Sequence, residues 1–175
     1  MANIREIYQL GSPVIRSMAA KVEDVHSTQI QTLIDDMIVT CKDSKGVGIA
    51  APQVNCSLAI VIIASEPSER YPSAPQMEPT ALINPKIISH SPKMLKDWEG
   101  CLSLPGIRAQ VPRYSEIEVA YTDRDGNEHH VIYSDFVARV FQHEYDHLIG
   151  KVFIDRVEST YDIVMEKEYQ RILAQ

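Results

Sequence analysis

The sequence predicts an α+β fold in which largely antiparallel β-sheets surround a central helix carrying an H-E-x-x-H motif, with an N-terminal helix and a C-terminal helix. Helical periodicity occurs near residues 27–46, 135–149 and 160–174, and short strand-like stretches lie between the first two of these. Those stretches are connected by hairpin signals and not by crossover helices, which favours antiparallel pairing. The 175 residues fit most simply into one domain, residues 1–175.

The N-terminal helix is predicted over residues 27–46. Its apolar side chains recur every three or four residues and form one stripe: Ile30, Leu33, Ile34, Met37, Ile38 and Cys41. Thr28 and Gln31 have the spacing of a capping box, and Gly46 follows the end of the pattern. Because Cys41 falls on the stripe, we expect it to be a small core residue and not a reactive thiol.

Three stretches in the middle of the chain are predicted to be strands. Residues 57–64 are an apolar run without alternation, typical of a strand buried on both faces. Residues 81–88 form a second strand, and residues 114–122 alternate between apolar and polar side chains before an Asp-Gly hairpin signal at 125–126. The Pro-rich residues 65–80 are predicted to form a long exposed loop.

The apolar spacing becomes helical again from Asp135 to Ile149. Ser134 or Asp135 is available as the N-cap, and Gly150 is placed to end the helix. A final amphipathic helix is predicted over residues 160–174.

Composition excludes several classes of function. The formal net charge is −7 and no run of Lys and Arg is present, so we expect no nucleic-acid partner. The longest apolar run, residues 58–64, is too short to span a membrane, and the N-terminus lacks the apolar segment of a signal peptide. We therefore expect the cytoplasm, where the three cysteines would remain thiols.

The stretch QHEYDH, residues 142–147, has the pattern of a metal site with its own base. His143 and His147 are four apart, so in a helix both imidazoles project side by side and can reach one ion. Glu144 is rotated by about 100° from His143, where a general base can contact a bound water. A polar helix that happens to carry two histidines is the alternative, but both histidines continue an apolar stripe with Val140.

A catalytic metal site needs a third protein ligand and an open position. Glu166 or Glu168 could supply it, as in one class of zinc endopeptidase. The other candidate is Cys101, in the upstream stretch EGCLS, where Gly100 allows a close approach to the backbone. From these residues alone, a structural thiol at Cys101 also remains open.

The stretch GVGIAAPQ, residues 46–53, combines small residues in a way that indicates close approach to the backbone. It is not a phosphate-binding G-x-G-x-x-G motif, because Ala51 replaces the last glycine and a strand follows. A simple tight turn is one interpretation. The other is that Gln53 offers a neutral amide donor to an oxyanion.

Taken together, GVGIAAPQ (46–53), EGCLS (99–103) and QHEYDH (142–147) resemble the three motifs of the peptide deformylase family, in the same order. The resemblance implies a bacterial cytoplasmic metallohydrolase that removes the N-formyl group from the formylmethionine of newly synthesised polypeptides and releases formate. The alternatives are a zinc endopeptidase of the H-E-x-x-H type and a non-catalytic metal-binding homologue.

The resemblance also implies a role for each matching residue. The metal ligands would be Cys101, His143 and His147. The general base and the two oxyanion donors, a side-chain amide and a backbone N–H, would be Glu144, Gln53 and Leu102. The substrate contacts would be Val47, Gly48, Glu99, Gly100 and Val140. Residues supporting the site would be Gln142 and Asp146.

The implied cofactor is one divalent metal ion, Fe²⁺ in the cell, with Zn²⁺, Ni²⁺ or Co²⁺ as replacements. The implied partners are N-formylmethionyl nascent peptides, and some family members dock on the ribosome through a basic C-terminal helix. Residues 158–175 carry only Lys167 and Arg171 as basic residues, against four acidic ones. That balance argues against ribosome docking through this helix.

Overall fold

The computed structural model describes residues 2–68 and 71–175, and it confirms the α+β prediction. The helices are α1 (Thr28–Asp43), α2 (Asp135–Leu148) and α3 (Glu166–Leu173). The strands are β1 (Gly48–Ala50), β2 (Ile60–Ile63), β3 (Thr80–His90), β4 (Met94–Cys101), β5 (Leu104–Tyr114), β6 (Glu116–Thr122), β7 (Glu128–Ser134) and β8 (Ile163–Met165).

The strands form two antiparallel sheets. One has five strands in the order β1-β2-β3-β6-β7, and the other has three in the order β4-β5-β8. Strands β1 and β4 are therefore edge strands of their respective sheets. Each leaves backbone N–H and C=O groups on one side without a sheet partner among the described residues, which matters for the cavity described below.

The core explains why β2 is apolar without interruption. Ile60 and Ile62 pack in the cluster under α1, whereas Val61 and Ile63 pack in the cluster under α2. Because successive side chains of a strand point to opposite faces, a strand covered by a helix on each face needs apolar residues at every position. A third cluster, around Phe153, fills the space beneath the three-stranded sheet.

Helix α2 lies between the two sheets. Its residues Val140 and Phe141 pack against the five-stranded sheet, and on its other side His143 stacks against Phe153, with ring centroids 5.9 Å apart. This position explains why even polar residues of α2 are buried, including Gln142 and Asp146.

The position of the N-terminal helix is predicted correctly, but its N-terminal cap is not. Ser27 is the N-cap, and its hydroxyl accepts a hydrogen bond from the Ile30 backbone N–H. The predicted capping box of Thr28 and Gln31 is wrong, because the Gln31 side chain instead donates to the Val25 carbonyl. Cys41 is fully buried in the core, as expected.

The strand predictions hold for the apolar stretches. Strands β2, β3 and β6 occupy the predicted stretches, and Gly126 in the turn between β6 and β7 has φ 86°, in the region that favours glycine. Within the described part of the loop, residues 65–68 and 71–79, no helix or strand occurs. Glu69 and Arg70 of that predicted loop lie outside the described residues.

Around the three-stranded sheet, one predicted helix boundary is wrong and two strands are missed. The C-terminal helix begins at Glu166 and not near residue 160, because Ile163–Met165 pair with β5 as strand β8. Strands β4 and β5 are not predicted from the sequence at all.

No helix among the described residues is both long and apolar enough to cross a membrane.

Gly150, directly after α2, is expected to be intolerant of a side chain. Its φ is +68°, and an added Cβ would lie 2.6 Å from the backbone oxygen of Arg16. Gly106 is the matched control, with φ +81° and nothing within 4 Å of the added Cβ. We expect Gly106→Ala to lower the free energy of unfolding by about 1 kcal/mol through backbone strain alone, and Gly150→Ala to lower it clearly more. Chemical denaturation measures both, and equal losses would contradict the steric argument.

Candidate active site

The three predicted metal ligands meet between the two sheets. His143 and His147 lie on the buried face of α2, and Cys101 is the last residue of β4. One ligand atom from each residue lies within 4.8 Å of the others, and the Cys101 Sγ is 3.3 Å from the His147 Nε2. A thiolate and two imidazoles at this spacing can bind a single divalent ion.

Glu99 fixes the orientation of the first histidine. Its Oε2 is 2.8 Å from the Nδ1 of His143. An ionised carboxylate can only accept a hydrogen bond, so Nδ1 carries the proton and Nε2 is left for a metal. Burial alone would raise the pKa of Glu99, but Arg113 and His143 hold it well below its ordinary value.

The same carboxylate is the centre of a buried charge network. Arg113 donates to both Glu99 oxygens, at 2.9 and 3.0 Å, and Arg139 donates to one of them at 2.9 Å. Arg113 also binds Asp146 at 2.7 Å. The side chain of Glu99 thus links β4, β5 and α2, and its backbone, which is the part predicted to pair with the substrate, lies on the edge strand β4.

The second histidine has a different environment. The Nδ1 of His147 is buried and has no hydrogen-bond partner among the described residues. Burial lowers the pKa of His147 well below its ordinary value. His147 is therefore neutral, which is the form of imidazole that binds a metal.

Glu144 points into the same space. Its Oε2 is buried without a hydrogen-bond partner in the described part of the chain, and burial raises its pKa to about 7, an effect that His143 opposes. A Cβ added to Gly48 would lie 2.8 Å from the other oxygen, Oε1. A glycine at this position of β1 is therefore what lets the Glu144 carboxylate lie beside the strand.

Gln53 presents its amide nitrogen to the site. Its Oε1 accepts a hydrogen bond from the Ala50 backbone N–H at 2.8 Å, which fixes the orientation of the amide. Its Nε2 lies 3.6 Å from the Cys101 Sγ and 3.2 Å from the Ser103 Oγ. The donor is therefore held next to the candidate metal ligands.

These residues surround one cavity, which lies between β1 and the end of β4. Ten of the eleven predicted site residues line it, and His147 lies behind the other ligands. Sequence reasoning missed five further lining residues, which are Gly46, Tyr71, Trp98, Phe136 and Arg139. Gln142 and Asp146 do not line it: Gln142 binds the Tyr114 backbone, and Asp146 binds Arg113 and Arg156.

The glutamates considered as alternative ligands are bound to arginines and do not join the group of Cys101, His143 and His147. Glu166 accepts a hydrogen bond from Arg108 at 2.6 Å, and Glu168 accepts from Arg171 at 2.7 Å. In the part of the chain that the structure describes, the residues that fit a metal are thus the cysteine and the two histidines, and the buried Glu144 Oε2 beside them has no partner there.

Comparisons with known proteins agree with this geometry. Residues 4–162 match the family described as Polypeptide deformylase. Peptide deformylase 2 of Nostoc sp. (strain PCC 7120) is 57% identical over 95% of this chain and 93% of its own length. Peptide deformylase 1 of Bordetella pertussis is 43% identical over 88% of each chain.

Solved structures give the same result. A Met-Ala-Ser-bound class I type b peptide deformylase from Acinetobacter baumannii superposes with a TM-score of 0.87 at 38% identity, covering 90% of this chain and 100% of the other. Peptide deformylase from Thermotoga maritima gives a TM-score of 0.80 at 34% identity, covering 90% of this chain and 99% of the other.

Replacing Glu99 is expected to weaken metal binding, although Glu99 is not a ligand. Glu99→Gln removes the charged acceptor that orients His143, and loss of such a partner typically costs about 10–100-fold in metal affinity. Competition with a chromophoric chelator measures this affinity. Glu78→Gln, at an exposed position, is the control and should bind metal like the unmodified protein. Unchanged affinity in Glu99→Gln would show that Glu99 does not orient the ligand.

Proposed function

The chain belongs to the polypeptide deformylase family, and on this premise we propose that it removes the N-formyl group from the N-terminal formylmethionine of newly synthesised polypeptides, releasing formate. One observation carries the proposal. The thiol of Cys101 and the imidazoles of His143 and His147 lie within reach of one ion, on a cavity that the Glu144 carboxylate and the Gln53 amide also face.

The family is metal-dependent, and Cys101, His143 and His147 would hold one divalent ion. When bound, the ion supplies a Lewis acid that polarises the formyl oxygen and lowers the pKa of water. We assign Fe²⁺ as the cellular metal, with Zn²⁺, Ni²⁺ or Co²⁺ as replacements, since one sulfur and two nitrogen ligands suit several divalent metals.

Glu144 moves the proton. Its carboxylate takes a proton from the attacking water and delivers it to the amine nitrogen that leaves when the formyl C–N bond breaks. Burial raises the pKa of Glu144 to about 7, close to neutral pH, when no cation is bound. A cation beside the carboxylate would lower that pKa. The buried position keeps competing water away from the carboxylate.

Two donors would stabilise the negative charge that develops on the formyl oxygen. The Gln53 amide cannot flip without losing the bond from the Ala50 N–H, so its Nε2 stays directed into the site. The backbone N–H of Leu102, directly after Cys101, is the second donor. Donors held in place before the reaction cost no reorganisation when charge appears.

The peptide would bind as an added strand. The free edges of β1 at Gly48 and of β4 at Glu99 and Gly100 both border the cavity, so an extended peptide can pair with them through its backbone. Val47 and Val140 line the same cavity and offer an apolar wall for the methionine side chain. Backbone pairing does not depend on side chains, so it would suit nascent chains of different sequence.

Formate release from a formyl-Met-Ala-Ser peptide tests the proposal. We expect the reduced, metal-loaded protein to release formate and to lose this activity with a chelator. Glu144→Gln should retain the metal while kcat falls by about 10²–10⁴-fold, the usual contribution of a general base. No formate above background with iron or nickel supplied anaerobically would overturn the proposed function.

Substitution of Cys101 separates deformylation from endopeptidase activity. Cys101→Ser should lose most metal affinity, because it removes one of three ligands. Glu168→Gln, the matched test of the endopeptidase alternative, should change neither metal content nor activity. Metal content by atomic absorption, together with formate release, measures both variants. Full metal binding and activity in Cys101→Ser would contradict the assignment.

A further inference from the structure

Helix α3 reaches the wall of the cavity. The ring of Tyr169 lies 5.1 Å from that of Trp98, with the planes tilted by 57°. Trp98 is on β4, immediately before the edge residues Glu99 and Gly100, and it lines the cavity together with them. The side chain of Trp98 therefore has a side that faces the cavity and a side that contacts α3.

Helix α3 also contacts Arg108, which packs against the β4 edge at Gly100. Arg108 is 3% exposed, donates from Nε to the Glu166 Oε2 at 2.6 Å, and has its Cζ 5.2 Å from the centre of the Tyr169 ring. A Cβ on Gly100 would be 2.1 Å from the Arg108 Nη1, so the guanidinium lies directly against the Gly100 backbone. A buried guanidinium needs partners, and the side chains of Glu166 and Tyr71 provide them.

A second aromatic pair lines the same cavity. Tyr71 and Phe136 both line it, and their ring centroids are 5.3 Å apart. An extended peptide that pairs with the edge at Gly100 would lie in the cavity that this pair and Trp98 line. Aromatic faces offer contact area to many side chains without requiring a particular hydrogen bond.

We infer that α3 is a positioning element of the peptide cleft. Tyr169 holds Trp98, and Glu166 holds Arg108 against Gly100, so that Trp98 contacts the residues that follow the N-terminal methionine of the peptide. The identity of the substrate rests on the proposed function, whereas the positioning of Trp98 rests only on these contacts. The C-terminal helix of this chain thus contributes to binding of short peptides in the absence of any ribosome.

Trp98 provides its own probe, because it is the only tryptophan in the chain. In the metal-loaded protein, titration with the peptide Met-Ala-Ser should change the intensity or wavelength of tryptophan emission and yield a dissociation constant. This measurement does not require turnover. It therefore reports on the cleft even if the protein does not hydrolyse formyl peptides.

The decisive variant is Tyr169→Ala. We expect its emission to differ from the unmodified protein before peptide is added, and its affinity for Met-Ala-Ser to fall by about fivefold, as for loss of one aromatic contact. The KM for formyl-Met-Ala-Ser should rise by a similar factor while kcat changes little. Formyl-methionine amide, which lacks the following residues, should show a smaller change in KM.

Three further variants separate positioning from general stability. Tyr169→Phe keeps the ring and should restore affinity. Glu166→Gln removes the charge that holds Arg108 and should weaken peptide binding. Glu168→Gln, on the same helix but bonded to Arg171, should behave like the unmodified protein. Circular dichroism checks that each variant is folded at the assay temperature.

The outcomes distinguish this inference from the proposed function. Unchanged peptide affinity and emission in Tyr169→Ala would overturn the inference, even if formate release is normal. The inference would also be overturned if the protein hydrolyses formyl peptides at a normal rate while its tryptophan emission does not change on addition of Met-Ala-Ser. An emission response without formate release would support the cleft and overturn the proposed function, and absence of both binding and hydrolysis would overturn both.

Discussion

The buried carboxylate of Glu99 is the interaction on which the rest of the structure depends. It accepts hydrogen bonds from Arg113, Arg139 and His143, and so joins β4, β5 and α2 at one point. A buried charge is destabilising unless its partners surround it, so the packing of these three elements depends on this carboxylate. The same carboxylate orients His143, so the packing of the fold and the orientation of a metal ligand depend on one group.

The position of α2 between two sheets follows from this constraint. A helix packed only on one sheet would expose its polar face, but here the polar face is turned toward the three-stranded sheet, where Arg113 and Phe153 meet it. The histidines and Glu144 are held in a buried environment that strengthens electrostatic interactions. The cavity opens where the sheets end, at the free edges of β1 and β4.

The sequence was most informative for elements whose structure is specified by their own local periodicity. The stripe of α1, the apolar β2 and the helical spacing of α2 each follow from local periodicity, and three short motifs contain most of the residues that line the cavity. Strands β4 and β5 were missed because Glu99, Arg108 and Arg113 interrupt their apolar pattern. Those charges are buried only because each finds a partner in another element.

The same reason explains the missed side chains. Glu99 pairs with a histidine 44 positions away, and Trp98 pairs with Tyr169 on a helix that sequence periodicity started several residues too early. An amphipathic pattern cannot distinguish the start of α3 from the short strand β8, because only pairing with β5 decides it. Tertiary pairing, in both cases, overrides the local signal.

X-ray absorption spectroscopy of the zinc-loaded protein tests the central claim most directly, since it counts the ligand atoms of the ion. One sulfur at about 2.3 Å together with two imidazole nitrogens at about 2.0–2.1 Å is the shell expected for Cys101, His143 and His147. A first shell of nitrogen and oxygen alone, without sulfur, would contradict the account.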